Sequence, residues 1–377
     1  MSSLRVAITG GGTGGHIYPA LTIAKTLQSL APGTEVLYIG TREGLEADIV
    51  PRSGLPFETV HVAGVAGKSL SKAVSGLVQA ARGTAESVRL LRRWRPDVVV
   101  GTGGYVSGPV VLAGRLVGAK VAIQEQNAIP GFTSRVLSRL ADRVFLPNQE
   151  ARRYFGGGRK FLVTGNPVRP EVIAADREEA RARLGVPAGK RLLLVFGGSR
   201  GARAINQALV PSLGRLLQRP DLMVLYVTGQ AAFEQVSGQL REQGIDLEIS
   251  GKIMVKPYFY EVEAALAAAD LALVRAGAMT MAEIAVRGLP AVVIPFPFAI
   301  YDHQEKNARV PEGRGAAIVL RESQLGPERL AGVLTDLLDH PDRLAAMAGQ
   351  MRELGRPEAS ERIAREVLAL AAGHSNA

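Results

Sequence analysis

The chain has 377 residues, 47% apolar and 21% charged, which excludes a disordered protein and exceeds what one ordinary core holds. It has no cysteine, so disulfides, thiol nucleophiles and Cys-ligated zinc are excluded. The net charge of +10 is lopsided: residues 1–170 hold 21 Lys and Arg against 10 Asp and Glu, the remainder 24 against 25. The first half is therefore expected to face an anion; without an aromatic-and-basic platform for nucleic acid, anionic lipid is the better candidate.

Met1 leads into a strand-like run without a charged-then-apolar export signal, and no apolar stretch approaches the ~20 residues that span a bilayer. The expectation is a soluble or peripheral protein. Apolar runs predict strands at Arg5–Thr9, Glu35–Ile39, Asp97–Val100, Lys120–Gln124 and Arg143–Leu146. The pattern restarts at Arg191–Phe196, Met223–Thr228, Leu271–Val274, Ala291–Pro295 and Ala316–Leu320. Near-continuous Val/Ile/Leu runs alternating with helical segments indicate parallel strands buried on both faces, hence two doubly wound α/β domains. Gly165-Asn166-Pro167 and Pro170 mark a junction within Phe161–Pro170. The expected division is residues 1–163, residues 164–345, and a last helical segment, 346–377, returning to the first domain.

Three glycine loops follow predicted strands: Gly10-Gly11-Gly12-Thr13-Gly14-Gly15-His16, Gly101-Thr102-Gly103-Gly104-Tyr105-Val106-Ser107-Gly108 and Gly197-Gly198-Ser199-Arg200-Gly201-Ala202. A strand–glycine-loop–helix unit brings backbone N–H groups and the positive end of a helix dipole to phosphate oxygens. One such loop is also an ordinary tight turn; three in register point to phosphate recognition. A dinucleotide-binding oxidoreductase fits poorly, because the acid it needs at the end of the second strand is not there: Glu43 lies beyond that end. No Gly-Lys-Ser/Thr follows any loop, so a Walker site is absent.

Further along come Glu125-Gln126-Asn127, Gly165-Asn166-Pro167-Val168-Arg169, Gly277-Ala278-Met279-Thr280-Met281-Ala282-Glu283, Asp302-His303-Gln304 and Asn307-Ala308. With the glycine loops, this ordered set resembles the MurG family of glycosyltransferases from Val6 to about Ala308. The resemblance implies a GT-B fold, two Rossmann-like domains whose parallel sheets face across a deep cleft. It implies inverting transfer of N-acetylglucosamine from UDP-N-acetylglucosamine to the 4-hydroxyl of the N-acetylmuramyl unit of undecaprenyl-diphosphate-linked lipid I, giving lipid II. The place implied is the cytoplasmic face of the bacterial membrane, peripherally bound, with cell-wall synthesis and division proteins as candidate partners.

Residue roles follow from the same resemblance. Glu283 would bind the ribose hydroxyls, though an acid ending there also suits a helix N-terminus. The backbone of Ala278, Met279, Thr280, Met281 and Ala282 would meet the donor diphosphate and sugar, Gln304 the sugar hydroxyls, and the backbone at Phe259 the uracil edge. Ser199 would bind the α-phosphate and Arg169 add charge near the diphosphate; Arg200 stands where the family has glutamine. Thr13, Gly14 and Gly15 line the substrate site, Asn127 orients donor sugar or acceptor, and Gly103, Gly104, Tyr105 and Ser107 hold the acceptor diphosphate. His16 is the first candidate for the general base and Glu125 the second, while a structural role for that histidine stays open. No Asp-x-Asp motif or ligand-spaced cluster is present, so no metal is expected for donor binding.

Val74, Leu77, Val78 and Ala81, beside Lys68, Lys72 and Arg82, make an amphipathic stretch that either lies on an anionic leaflet or covers the sheet. Two other functions compete: a GT-B UDP-sugar transferase with a different lipid acceptor, and a non-catalytic membrane-binding module with a nucleotide cleft.

Overall fold

A computed structural model describes residues 4–62, 70–198, 201–245 and 251–375. They form two compact units, Met1–Arg169 with Arg356–Ala377, and Pro170–Gly355.

The first unit is built on β1 (Arg5–Thr9), β2 (Glu35–Gly40), β3 (Phe57–Thr59), β4 (Val98–Gly101), β5 (Lys120–Gln124), β6 (Arg143–Leu146) and β7 (Phe161–Val163). Its sheet order is β3-β2-β1-β4-β5-β6-β7, and every pairing is parallel. The second unit holds β8 (Arg191–Phe196), β9 (Leu222–Val227), β10 (Ile253–Lys256), β11 (Leu271–Val274), β12 (Ala291–Val293) and β13 (Ala317–Val319) in the order β10-β9-β8-β11-β12-β13, again parallel. Both orders reverse direction at one point, β1/β4 in the first sheet and β8/β11 in the second. Crevices outside strand C-termini at such switch points are where doubly wound sheets take ligands.

The strand pleat divides the side chains between two cores. Val6 and Ile8 of β1, with Tyr38, Val98, Val100 and Phe145, pack on one face against the helices Gly14–Leu30 and Ala359–Ser375. Ala7, Ile39, Val99, Ile123 and Leu146 pack on the other, against Leu91 and the helix Ser107–Leu116. The helix Ala359–Ser375 joins the first core through Ile363, Ala364, Val367, Leu370 and Ala371, a 3.6-residue stripe.

All ten predicted runs contain a strand, and three further strands appear. β3, Phe-Glu-Thr, is too short and polar to stand out, and β10 is only partly buried. The junction expected from Phe161 begins instead with β7, because Phe161 is buried and β7 pairs with β6. Gly165 follows with φ +88 and lies under Arg356 and Ala359, where a Cβ would come 2.5 Å from the Arg356 side chain.

Candidate active site

In the first unit the loops after β1 and β4 interlock. Gly11 N–H donates to the Gly103 carbonyl (3.3 Å), and Gly104, at φ +81, approaches so closely that a Cβ would stand 2.3 Å from the Gly11 oxygen. Only glycine permits that contact. Thr102 N–H and its hydroxyl both donate to Thr9 O, and the hydroxyl also donates to His16 O (2.7 Å). Ser107 is buried; its hydroxyl donates to Gly103 O (2.6 Å) and accepts from Gly103 N–H (3.1 Å), so it shapes the loop from within. Tyr105 crosses to the other loop, its hydroxyl 3.2 Å from Thr41 Oγ1 and its ring against Gly12.

Glu46 was not foreseen from the sequence. It is fully buried, and its carboxylate accepts from Gly12 N–H (3.0 Å), Thr41 N–H (3.2 Å) and the Thr41 hydroxyl (2.7 Å). An acid thus sits near the end of β2 after all, but it holds the glycine loop's own backbone rather than offering itself to a ribose. Glu43, the residue weighed at that place, was three positions short. Tyr38, also fully buried, donates to Gly10 O (2.6 Å); burial, and then the Glu46 carboxylate, push its phenol far above the ordinary range.

His16 stands in the first turn of the helix Gly14–Leu30, with Thr13 at the N-cap making no side-chain cap bond and Thr13 and Gly15 exposed. Its Nδ1 lies 3.1 Å from Thr102 O and 3.0 Å from Gln126 Oε1. The second candidate base, Glu125, is buried and committed to its own loop: Oε1 accepts from Asn127 N–H (2.9 Å) and Asn127 Nδ2 (3.2 Å), Oε2 from Gly131 N–H (3.2 Å). Arg169 lies over the Tyr18 ring, its guanidinium 5.5 Å from the centroid. Its cation is thus held against the helix that carries His16.

In the second unit Ser199 and Arg200 fall outside the described residues. Gly201, at φ +72, lies so near the end of β9 that a Cβ would sit 2.4 Å from Thr228 O. Asn206 Nδ2 donates to the same carbonyl (3.2 Å) and Tyr226 OH donates to Asn206 Oδ1 (2.9 Å). The helix that follows, Arg203–Leu216, has no acid in its first turn and no side-chain cap. The same holds for Ala278–Arg287, whose N-cap is Gly277. Glu283 lies in the second turn of that helix and is 8% exposed, so it is not an N-terminal acid answering the dipole. Ala278, Met279, Thr280, Met281 and Ala282 form the turn and a half before it.

Gln304 is next to this helix in the second sheet's loop system. Its Oε1 accepts from Phe296 N–H (3.0 Å), and Asn307 Nδ2 donates to Ala276 O (3.1 Å), tying the helix His303–Glu312 to the loop after β11. Tyr301 and Asp302 immediately before it take φ values of +55 and +53, sparsely populated for residues with a Cβ. Buried Arg275 fixes the base of that loop by donating to Ile294 O (3.0 Å) and Pro295 O (3.2 Å) and pairing with Glu322. Phe259 is half-buried in the loop after β10. Among the described residues, no group of three or more His, Asp or Glu side chains could hold a metal ion, and no helix is long and apolar enough to cross a membrane.

Comparison with known proteins identifies the pair of units. Residues 6–146 match the Glycosyltransferase family 28 N-terminal domain and residues 192–363 its C-terminal domain. A protein of Moorella thermoacetica named UDP-N-acetylglucosamine–N-acetylmuramyl-(pentapeptide) pyrophosphoryl-undecaprenol N-acetylglucosamine transferase is 49% identical over 365 residues, 97% of this chain and 98% of that one. The chain belongs to the MurG family. A Desulforamulus reducens member with the same name is 48% identical across 94% of this chain and 96% of its own. The crystal structure of Acinetobacter baumannii MurG superposes with a TM-score of 0.76 at 30% identity, covering 97% and 99% of the two chains. A Listeria monocytogenes protein described as a UDP-N-acetylglucosamine 2-epimerase, 15% identical with a TM-score of 0.69, shares the fold alone. The fold therefore does not choose the reaction; MurG membership and the site do.

Proposed function

We propose that this chain transfers N-acetylglucosamine from UDP-N-acetylglucosamine to the 4-hydroxyl of the N-acetylmuramyl unit of lipid I, with inversion, to give lipid II. The observation that carries the chemistry is His16 beside the two interlocked glycine loops, its Nδ1 tied down by Thr102 and Gln126. In this reading the first unit takes the acceptor, with Gly103, Gly104 and Tyr105 meeting its diphosphate and Ser107 and Glu125 keeping the loops in shape. The second unit takes the donor: Glu283 accepts from the ribose hydroxyls, Gln304 reads the sugar, and backbone near Phe259 reads uracil. Asn127 orients sugar or acceptor.

As the acceptor oxygen bonds to the anomeric carbon, its proton passes to His16 Nε2. The bond from that carbon to the phosphate oxygen breaks, and UDP leaves with the electron pair. The uncapped N-termini of Arg203–Leu216 and Ala278–Arg287, with Ser199 and Arg169, would stabilise the leaving diphosphate, so no metal is required for donor binding. Peripheral attachment to the cytoplasmic membrane face is supported by the excess of Lys and Arg in residues 1–170, and Val78 on the helix Leu70–Trp94 is 63% exposed.

The test is transfer of labelled N-acetylglucosamine from UDP-N-acetylglucosamine to a lipid I analogue with EDTA present. Folded protein that makes no product overturns the assignment. Co-sedimentation with anionic but not neutral vesicles tests the location.

A further inference from the structure

The first unit contains a buried chain of side-chain amides that ends on His16 and runs in one direction. Asn166 Nδ2 donates to Gln126 O (3.0 Å), and Asn166 Oδ1 accepts from Gln124 Nε2 (2.9 Å). Gln124 Oε1 accepts from Gln126 Nε2, which also donates to Thr102 O (2.6 Å) and approaches Gln124 O (3.2 Å). Gln126 is 4% exposed, Gln124 fully buried and Asn166 7% exposed, so water does not substitute for these partners at low cost.

The orientation of each amide follows from its neighbours. A backbone carbonyl only accepts, so the Gln126 atom next to Thr102 O and Gln124 O must be its nitrogen. Its oxygen then faces His16. Nδ1 of His16 thus has two groups in reach, Thr102 O (3.1 Å) and Gln126 Oε1 (3.0 Å), and both only accept. Nδ1 must carry a hydrogen. In the neutral ring the lone pair is then on Nε2, which no group hydrogen-bonds among the described residues. An unconstrained neutral imidazole favours the opposite form, with the hydrogen on Nε2, and a ring in that form cannot take a proton through Nε2.

We propose that Gln126, oriented by Gln124 and Asn166, is a positioning residue that holds neutral His16 as the Nδ1–H tautomer and keeps its Nε2 lone pair ready for the acceptor hydroxyl. This role rests on His16 acting as the base; the tautomer itself does not.

The experiment uses the full chain with 15N-labelled histidine, at a pH where the rings are neutral. The five histidines are resolved by subtracting the spectrum of His16→Gln. His16 is expected to show a protonated Nδ1 and an unprotonated Nε2; the opposite pattern overturns the proposal outright, with no variant needed. Gln126→Met, close in volume but without the acceptor, leaves Thr102 O as the remaining acceptor at Nδ1 and is expected to weaken the preference for the Nδ1–H tautomer. Its kcat should fall about tenfold to a hundredfold while the donor KM stays within about twofold. A folded Gln126→Met protein with wild-type tautomer and kcat overturns the positioning role. If the tautomer is as stated but His16→Gln still turns over normally, His16 as base fails and the tautomer assignment stands.

Discussion

Replacing Glu46 by glutamine tests whether a buried carboxylate organises the first glycine loop. The two oxygens serve three donors: Oε1 takes the Thr41 hydroxyl and Thr41 N–H, and Oε2 takes Gly12 N–H. An amide keeps one acceptor and adds a donor. With its oxygen toward Thr41 it preserves two bonds but turns NH2 against Gly12 N–H; reversed, it loses both Thr41 bonds. The less costly arrangement leaves Gly12 N–H and the new NH2 both without an acceptor, a cost of at least about 1–3 kcal/mol. For a unit of this size, that lowers its melting temperature by about 3–10 °C. Differential scanning calorimetry with and without UDP-N-acetylglucosamine is the assay, since donor stabilises only the second unit in the proposed division of labour. The Glu46→Gln protein should melt earlier, transfer sugar more slowly at fixed acceptor, and keep its donor KM. A melting curve and acceptor kinetics superimposable on the wild type would refute this role for Glu46.

Three further outcomes are expected. Gly104→Ala places a Cβ 2.3 Å from the Gly11 oxygen at φ +81, so it should destabilise by more than about 2 kcal/mol and abolish transfer. Gly108→Ala, whose nearest neighbour would be Thr133 at 3.9 Å, should be neutral or slightly stabilising; equal effects from the two in denaturant melts would contradict the loop geometry. Glu283→Ala should raise the donor KM by about 10- to 100-fold with the acceptor KM little changed, read from initial rates at varied donor. Glu86 is held down from its ordinary 4.5 to about 2, first by the His61 backbone N–H and then by the His61 side chain and Arg82. Because its folded pKa is depressed, its contribution is complete above about pH 4.5 and lost as pH falls towards 2. Exposure limits that contribution to about 1 kcal/mol, and Glu86→Gln should flatten the acid limb of stability accordingly, measured by urea melts from pH 6 to 3.

Ten strands were legible because a strand buried on both faces is a run of Val, Ile and Leu, a signal contained within a few adjacent residues. The glycine loops were legible for the same local reason, and their order along the chain carried the family resemblance. β3, β7 and β10 were not: β3 has one apolar residue in three, β7 runs directly into the Gly165-Asn166-Pro167 junction, and β10 is an only partly buried edge strand.

The glycine loop that opens the chain illustrates the division. Sequence alone determined that a glycine loop follows β1 and that His16 ends it. What holds that loop was decided only by the tertiary structure: Glu46 reaches Gly12 from 34 positions away, and Gln126 reaches His16 from 110. Helical and strand periodicities are properties of neighbours in sequence, whereas a buried donor is satisfied by whichever acceptor the folded sheet brings beside it. Glu46 looks in the sequence like an ordinary surface residue, and Gln126 stands in a motif that assigns it no role. Folding buries them against backbone groups of distant loops, and that burial is what gives each its role.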